Sequence, residues 1–198
     1  MAFDFKPFFN DALPYHELLQ RCAEPEQRRR WQSIYDSAAL TDEQTSLLQS
    51  FRRKMYVLCL TGVWCGDCVN ACPIFQRIAE ITDKIDLRFV NRAQKFDASA
   101  SDAGTRLANE LSICGGARVP VLVFLSQDWF ECERFGERTL ATYRAKVAAM
   151  QGAACSTGLF GTPVDLLREN ITEWLAHFER VQLMLQTSAR LMKLNDEI

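Results

Sequence analysis

No apolar run in this sequence is long enough to cross a bilayer. The longest, such as Val119–Leu125, are of strand length, whereas a spanning helix needs about 20 residues. Met1–Asn10 lacks a basic segment followed by an unbroken apolar stretch, so it is not expected to act as a secretory signal. Basic charge is not in excess: the net charge is −2 and the pI is near 5.8. That excludes the electrostatic footprint of a nucleic-acid or anionic-membrane binder. Histidine is scarce, with His16 and His177 alone and both remote in sequence from the densest cysteine cluster. No internal repeat or low-complexity tract is present, which excludes a repeat array.

What remains is a 198-residue chain, 48% hydrophobic, with eight scattered cysteines. It can bury a real core. A chain of that size needs no disulfide scaffold, so the cysteines point to a reducing, cytoplasmic setting. The expected organisation is one compact domain: a helical extension over residues 1–53, a central domain over 54–151, and a loop with a C-terminal amphipathic helix over 152–198.

The informative stretch is Met55–Phe75. An apolar run of strand length, Met55–Thr61, is broken by Gly62 and followed by Trp64-Cys65-Gly66-Asp67-Cys68. A helical pattern then places Ile74, Ile78 and Ile81 on one side. Unpaired N–H groups and the dipole at a helix N-terminus favour a thiolate there. The thiolate is the nucleophile of disulfide exchange, and a cysteine one helical turn later can close a small disulfide. The layout therefore points to dithiol–disulfide chemistry.

Before this stretch, Pro14 opens a helix through Leu18 and Leu19. Pro25 opens another with Trp31, Ile34, Tyr35 and Ala38 at helical spacing. Thr41-Asp42-Glu43-Gln44 reads as a capping box, and Arg28-Arg29-Arg30 as a solvated face. After it, strands are expected at Ile85–Val90, Val119–Leu125 and Trp129–Phe135, the last two as an antiparallel hairpin. A short helix runs through Leu107 and Leu111, and another starts at Thr139 with Leu140, Tyr143 and Val147 on one face. Gln151–Gly161 reads as a loop, and Thr162-Pro163 as the start of a last helix. Its stripe of Leu167, Ile171, Trp174, Phe178, Val181 and Leu185 must be buried.

The order of elements, Trp64-Cys65-Gly66-Asp67-Cys68, the helix-kinking Pro73, Val119-Pro120 before a strand and Gly136 after the last strand resemble the thioredoxin superfamily over roughly Arg53–Gln151. The resemblance implies an α/β, thioredoxin-like fold. That is a central four-stranded mixed sheet flanked by helices, here with extra N-terminal and C-terminal helices. It implies that Cys65 attacks and Cys68 resolves. It implies a cis peptide at Pro120, facing the two cysteines, with the Val119 backbone pairing with an extended substrate. Trp64, Gly66 and Asp67 complete the expected substrate-binding set. Without the resemblance, a first strand residue tolerates proline with no cis bond.

Two positions depart from thioredoxin itself, which has proline where this chain has Asp67. A carboxylate on the first helical turn suits the dipole but opposes a nearby thiolate, which should raise the Cys65 pKa relative to a proline variant; the two effects oppose each other, and the sequence does not rank them. Thioredoxin also carries a buried aspartate at the position of Cys59. Cys72, one turn after Cys68, reads as a small buried residue, as an auxiliary thiol, or as a metal ligand with Cys65 and Cys68. No second CxxC or nearby histidine supports the metal. Cys114 reads as a packed loop residue, Cys22, Cys132 and Cys155 as structural, and Asp97 and Asp102 as loop and cap residues.

Two functions follow. The first is a thiol–disulfide oxidoreductase acting on disulfide-bearing proteins, needing no bound cofactor or metal. A reductase or a low-molecular-weight thiol would supply its electrons. The second is a thioredoxin-fold binding, adaptor or redox-sensor protein with little turnover. Neither involves nucleic acid or a membrane.

Overall fold

The computed structural model describes residues 3–95, 97–150 and 164–195. Met55–Thr61 (β1), Ile85–Asn91 (β2), Val121–Ser126 (β3) and Glu131–Gly136 (β4) form one sheet in the order β2-β1-β3-β4. β1 pairs parallel with β2 and antiparallel with β3, and β3 pairs antiparallel with β4. The two central strands are almost wholly buried, as continuous apolar runs require. β4 lies at an edge and is half exposed.

Four helices precede β1: Lys6–Asp11 (α1), Tyr15–Cys22 (α2), Pro25–Ser37 (α3) and Asp42–Gln49 (α4). Both Glu24 before α3 and Thr41 before α4 form capping boxes, which satisfy backbone N–H groups at each helix start. Gly66–Ala79 (α5) follows β1 and runs through Pro73, which cannot donate the next helical hydrogen bond. Ala103–Glu110 (α6) is capped by Asp102, whose Oδ1 accepts from the Thr105 N–H at 3.0 Å. Leu140–Met150 (α7), Val164–Gln186 (α8) and Ala189–Leu194 (α9) complete the described chain.

One apolar core runs from Phe5 to Leu191. The α8 stripe turns onto the sheet and α5: Leu167, Ile171, Trp174, Phe178, Val181 and Leu185 are all buried. Trp174 meets the rings of Phe75 at 4.5 Å and Phe135 at 5.1 Å, and Phe178 meets Phe124 at 5.0 Å. Gln182, buried on the same face, accepts from the Arg53 N–H at 2.8 Å and donates to the Arg53 carbonyl at 3.0 Å. α8 is thereby fixed to the chain just before β1.

Several boundaries differ from the sequence reading. β3 begins at Val121 because Val119-Pro120 lies beyond the ladder, where proline has no N–H to give. β4 begins at Glu131 because Trp129 sits in the turn with φ +72°. Leu140, Tyr143 and Val147 do share a helix, but they face outward, and the small Ala141 is its buried residue. Cys114 is exposed rather than packed, in the tight turn closed by Ile113 and Gly116. The expected loop at Gln151–Gly161, the Thr162-Pro163 helix start and Cys155 lie outside the described residues. Among the described residues, no helix is long and apolar enough to cross a membrane.

Candidate active site

The sheet register assembles the site. Leu60 near the end of β1 pairs with Val121 at the start of β3, and Val121 pairs with Gly136 at the end of β4. The turn after β1, the residues before β3 and the residues after β4 therefore meet at one end of the sheet. α5 starts there too.

The turn Gly62–Trp64 is held from three sides. The Val63 N–H donates to Asn91 Oδ1 at 3.2 Å, and the buried Trp31 Nε1 donates to the Val63 carbonyl at 3.1 Å. Trp64 Nε1 donates to the Arg92 carbonyl at 3.2 Å, and the Arg92 guanidinium lies over the Trp64 ring. Gly62 is required by close approach, since a Cβ there would come within 2.8 Å of that ring.

Cys65 is the N-cap of α5, half-buried, with its Sγ 3.7 Å from the Val119 carbonyl. Cys68 is fully buried and accepts from the Gly62 N–H at 3.3 Å. The Val119–Pro120 peptide is cis. At Gly136 a Cβ would lie 2.6 Å from the Pro120 carbonyl, so only glycine lets the end of β4 approach this closely. The Gly136–Glu137 peptide is also cis. Gly66 is sterically open and makes no such demand. Trp64, Cys65, Asp67, Cys68, Val119 and Pro120 thus cluster at this end of the sheet.

The thiols are not poised as the helix N-terminus alone suggests. The neighbouring Cys68 thiol, and then burial, push the Cys65 thiol up from its ordinary 9.0. Backbone N–H groups at the helix start pull the other way but do not prevail. Burial pushes Cys68 well above the same value. The two sulfurs share one proton-binding system whose first ionisation is already costly.

Asp67 is engaged by cations rather than facing the sulfur as a bare charge. Its carboxylate accepts from Arg138 Nη2 at 2.6 Å and Lys146 Nζ at 2.9 Å. Burial raises its pKa, but these two partners outweigh burial and hold it below 3.8. The buried Glu137 accepts from Arg118, from Arg138 and from the Tyr143 hydroxyl. An alternating chain of charges, Arg118–Glu137–Arg138–Asp67–Lys146, thus rims the dithiol. Sequence reasoning missed four of these five residues. For three of them the signal is position: Arg118 directly precedes Val119-Pro120, and Glu137-Arg138 directly follow Gly136; Lys146 has no such signal.

Asp67→Asn is therefore expected to lower the Cys65 pKa, because Arg138 and Lys146 lose an anion beside the thiol. Stability at neutral pH should fall by about 1–2 kcal/mol, between exposed and buried ion-pair values. A depressed carboxylate pKa stabilises the fold above its unfolded value and loses that contribution as pH falls through the folded value. The stability gap between wild type and variant should thus close as urea melts are taken below pH 3.8. A gap independent of pH would contradict the pairing.

Cys59 and Cys72 lie behind the dithiol, both buried, with sulfurs 3.9 Å apart. Among the described residues, no group of His, Cys, Asp and Glu has the arrangement of a metal site.

A family model described as Thioredoxin matches residues 13–150. Among solved structures, the chain is similar to a protein of unknown function from Pseudomonas aeruginosa, at 18% identity and a TM-score of 0.65, covering 91% of this chain and 99% of that one. It is also similar to an HIV epitope-scaffold, at 18% identity and a TM-score of 0.63, covering 89% of this chain and 98% of that one. At that identity the two structures speak for the fold alone. No curated protein matches the sequence significantly. The family match covers well over half of the chain, and the mixed four-stranded sheet between helices agrees with it: the chain belongs to the thioredoxin family.

Proposed function

We propose that this protein is a thiol–disulfide oxidoreductase that reduces protein disulfides through Cys65 and Cys68. The observation that carries the reading is the pair itself. A half-exposed sulfur at a helix N-cap lies against the Val119 carbonyl beside a cis proline, with a fully buried thiol one turn behind it. In this reading Cys65 attacks a substrate disulfide and a mixed disulfide forms. Cys68 then attacks Cys65, releases the reduced substrate and leaves a Cys65–Cys68 disulfide. Val119 and Pro120 receive the extended substrate backbone, and Trp64, Gly66 and Asp67 border it. A cytoplasmic reductase or a low-molecular-weight thiol restores the dithiol.

The raised thiols support the reducing direction. A couple whose reduced form gains no stabilised thiolate is a reductant rather than an oxidant. Their protonation also favours a second reading, a binding or sensor protein with little turnover, because the thiolate fraction at neutral pH is small. Steady-state reduction of insulin by dithiothreitol separates the two. The oxidoreductase accelerates it and Cys65→Ser does not, whereas a binding protein leaves the uncatalysed rate unchanged.

The thiol direction makes a pH prediction. Alkylation of Cys65 by iodoacetamide, followed by peptide mapping, should quicken about tenfold per pH unit as the thiolate fraction grows. It should show no plateau below pH 9.0. A plateau near neutrality would mean that the helix N-terminus prevails over pairing and burial.

A further inference from the structure

Two buried thiols have no part in the cycle above. Cys59 lies in the middle of β1 and Cys72 in the second turn of α5, so their contact joins the central strand to the helix that carries the dithiol. Their sulfurs are 3.9 Å apart, and the Thr61 hydroxyl lies 3.2 Å from Cys72 Sγ. Cys68 and Cys72 are four residues apart on α5 and so share one face of the helix, with Cys65 at its N-cap one turn before Cys68. Four sulfurs thus run in sequence from the half-exposed Cys65 to the fully buried Cys59. Bridging cysteines must have side chains that already meet, and the 3.9 Å between the two sulfurs is that meeting.

Resting on the oxidoreductase reading, we propose that Cys59 and Cys72 are a second, buried dithiol that exchanges electrons with the Cys65–Cys68 couple. Substrate reduction leaves the Cys65–Cys68 disulfide. Cys72 attacks Cys68 Sγ: the Cys68–Cys72 bond forms, the Cys65–Cys68 bond breaks, and the electron pair leaves on Cys65. Cys65 is the less buried of the two sulfurs, so the charge it carries away is the better solvated. Cys59 then attacks Cys72 Sγ: the Cys59–Cys72 bond forms, the Cys68–Cys72 bond breaks, and the pair leaves on Cys68. The protons given up by Cys72 and Cys59 end on Cys65 and Cys68. The outer disulfide is reduced by two electrons and the inner dithiol is oxidised by two. No external donor takes part, so a fully reduced chain holds four reducing equivalents rather than two.

Exchange needs a thiolate, and burial holds Cys72 well above its ordinary pKa. The inner transfer is therefore slower than the outer one, and the two separate in time. The test uses the fully reduced, native protein with excess insulin and no other thiol. Two insulin disulfides should be reduced per chain, one in a fast phase and one in a slow phase. Acid quenching, alkylation and peptide mapping should then find Cys59 linked to Cys72. Cys59→Ala and Cys72→Ala should keep the fast phase and lose the slow one, a twofold fall in equivalents. The mapping of the native chain stands by itself if either variant fails to fold. One insulin disulfide per chain, with Cys59 and Cys72 recovered as free thiols or with Cys72 linked elsewhere, overturns the second dithiol and leaves the outer couple standing. No insulin reduction overturns the oxidoreductase reading and this proposal with it.

Discussion

Cys68→Ser is expected to stop turnover and leave substrate covalently held on Cys65. On the proposed function, the wild-type mixed disulfide is resolved from within, by a sulfur on the next helical turn. A well-oriented intramolecular group acts at an effective concentration on the order of 10⁵ M. Serine at that position has no thiolate to offer, so only an external thiol at millimolar concentration can release the substrate. Insulin turnover should fall by at least about 10³-fold. Non-reducing gels should show an adduct that dithiothreitol removes. Cys65 keeps its backbone N–H bond to the Gly62 carbonyl at 2.9 Å and its contact with Val119, so the attacking half of the reaction survives. Unchanged turnover in this variant would mean that Cys68 does not resolve.

Trp174→Ala is expected to have the largest effect on the fold. The indole is 1% exposed and sits edge-on between Phe75 of α5 and Phe135 of β4. It therefore joins the helix that carries the dithiol to the strand that ends at Gly136. Truncation removes the transfer free energy of the ring and leaves a cavity that two aromatic neighbours cannot fill, costing about 3–5 kcal/mol. At about 2–4 °C per kcal/mol for a chain of this size, the melting temperature should drop by about 6–20 °C. The loss should spread to the site, because α8 also holds Arg53 through Gln182, next to the start of β1. A drop of less than about 2 °C would mean that α8 is not an integral wall of the core.

The sheet was legible in the sequence where its strands are buried. Met55–Thr61 has no polar residue before Thr61, and its boundaries are those of β1. The α8 stripe was legible for the same reason, since six apolar residues at steps of three and four can face only one way. Edges were less clear. The turn at Trp129 and the start at Val121 depend on hydrogen-bond register rather than composition. α7 misled because its large apolar residues face outward while Ala141 faces in.

At the site, the tryptophan and the two cysteines were legible because their spacing is local, and Pro120 only through the family resemblance. The ring of Arg118, Glu137, Arg138 and Lys146 was not, because only the pairing of β1 with β3 and β3 with β4 brings those residues to Asp67. For the same reason the charge on Asp67 was assigned to the thiol, whereas in the folded chain two cations meet it first. The Cys59–Cys72 contact was also invisible, since it crosses from a strand to a helix.

The most direct test of the central claim is a single turnover. The fully reduced protein is mixed with insulin in the absence of any other thiol, and samples are quenched with acid over time. In the first phase one insulin disulfide should be lost per chain, and Cys65 and Cys68 should become linked to each other at the same rate. Insulin that stays oxidised while both Cys65 and Cys68 can still be alkylated as free thiols would contradict it.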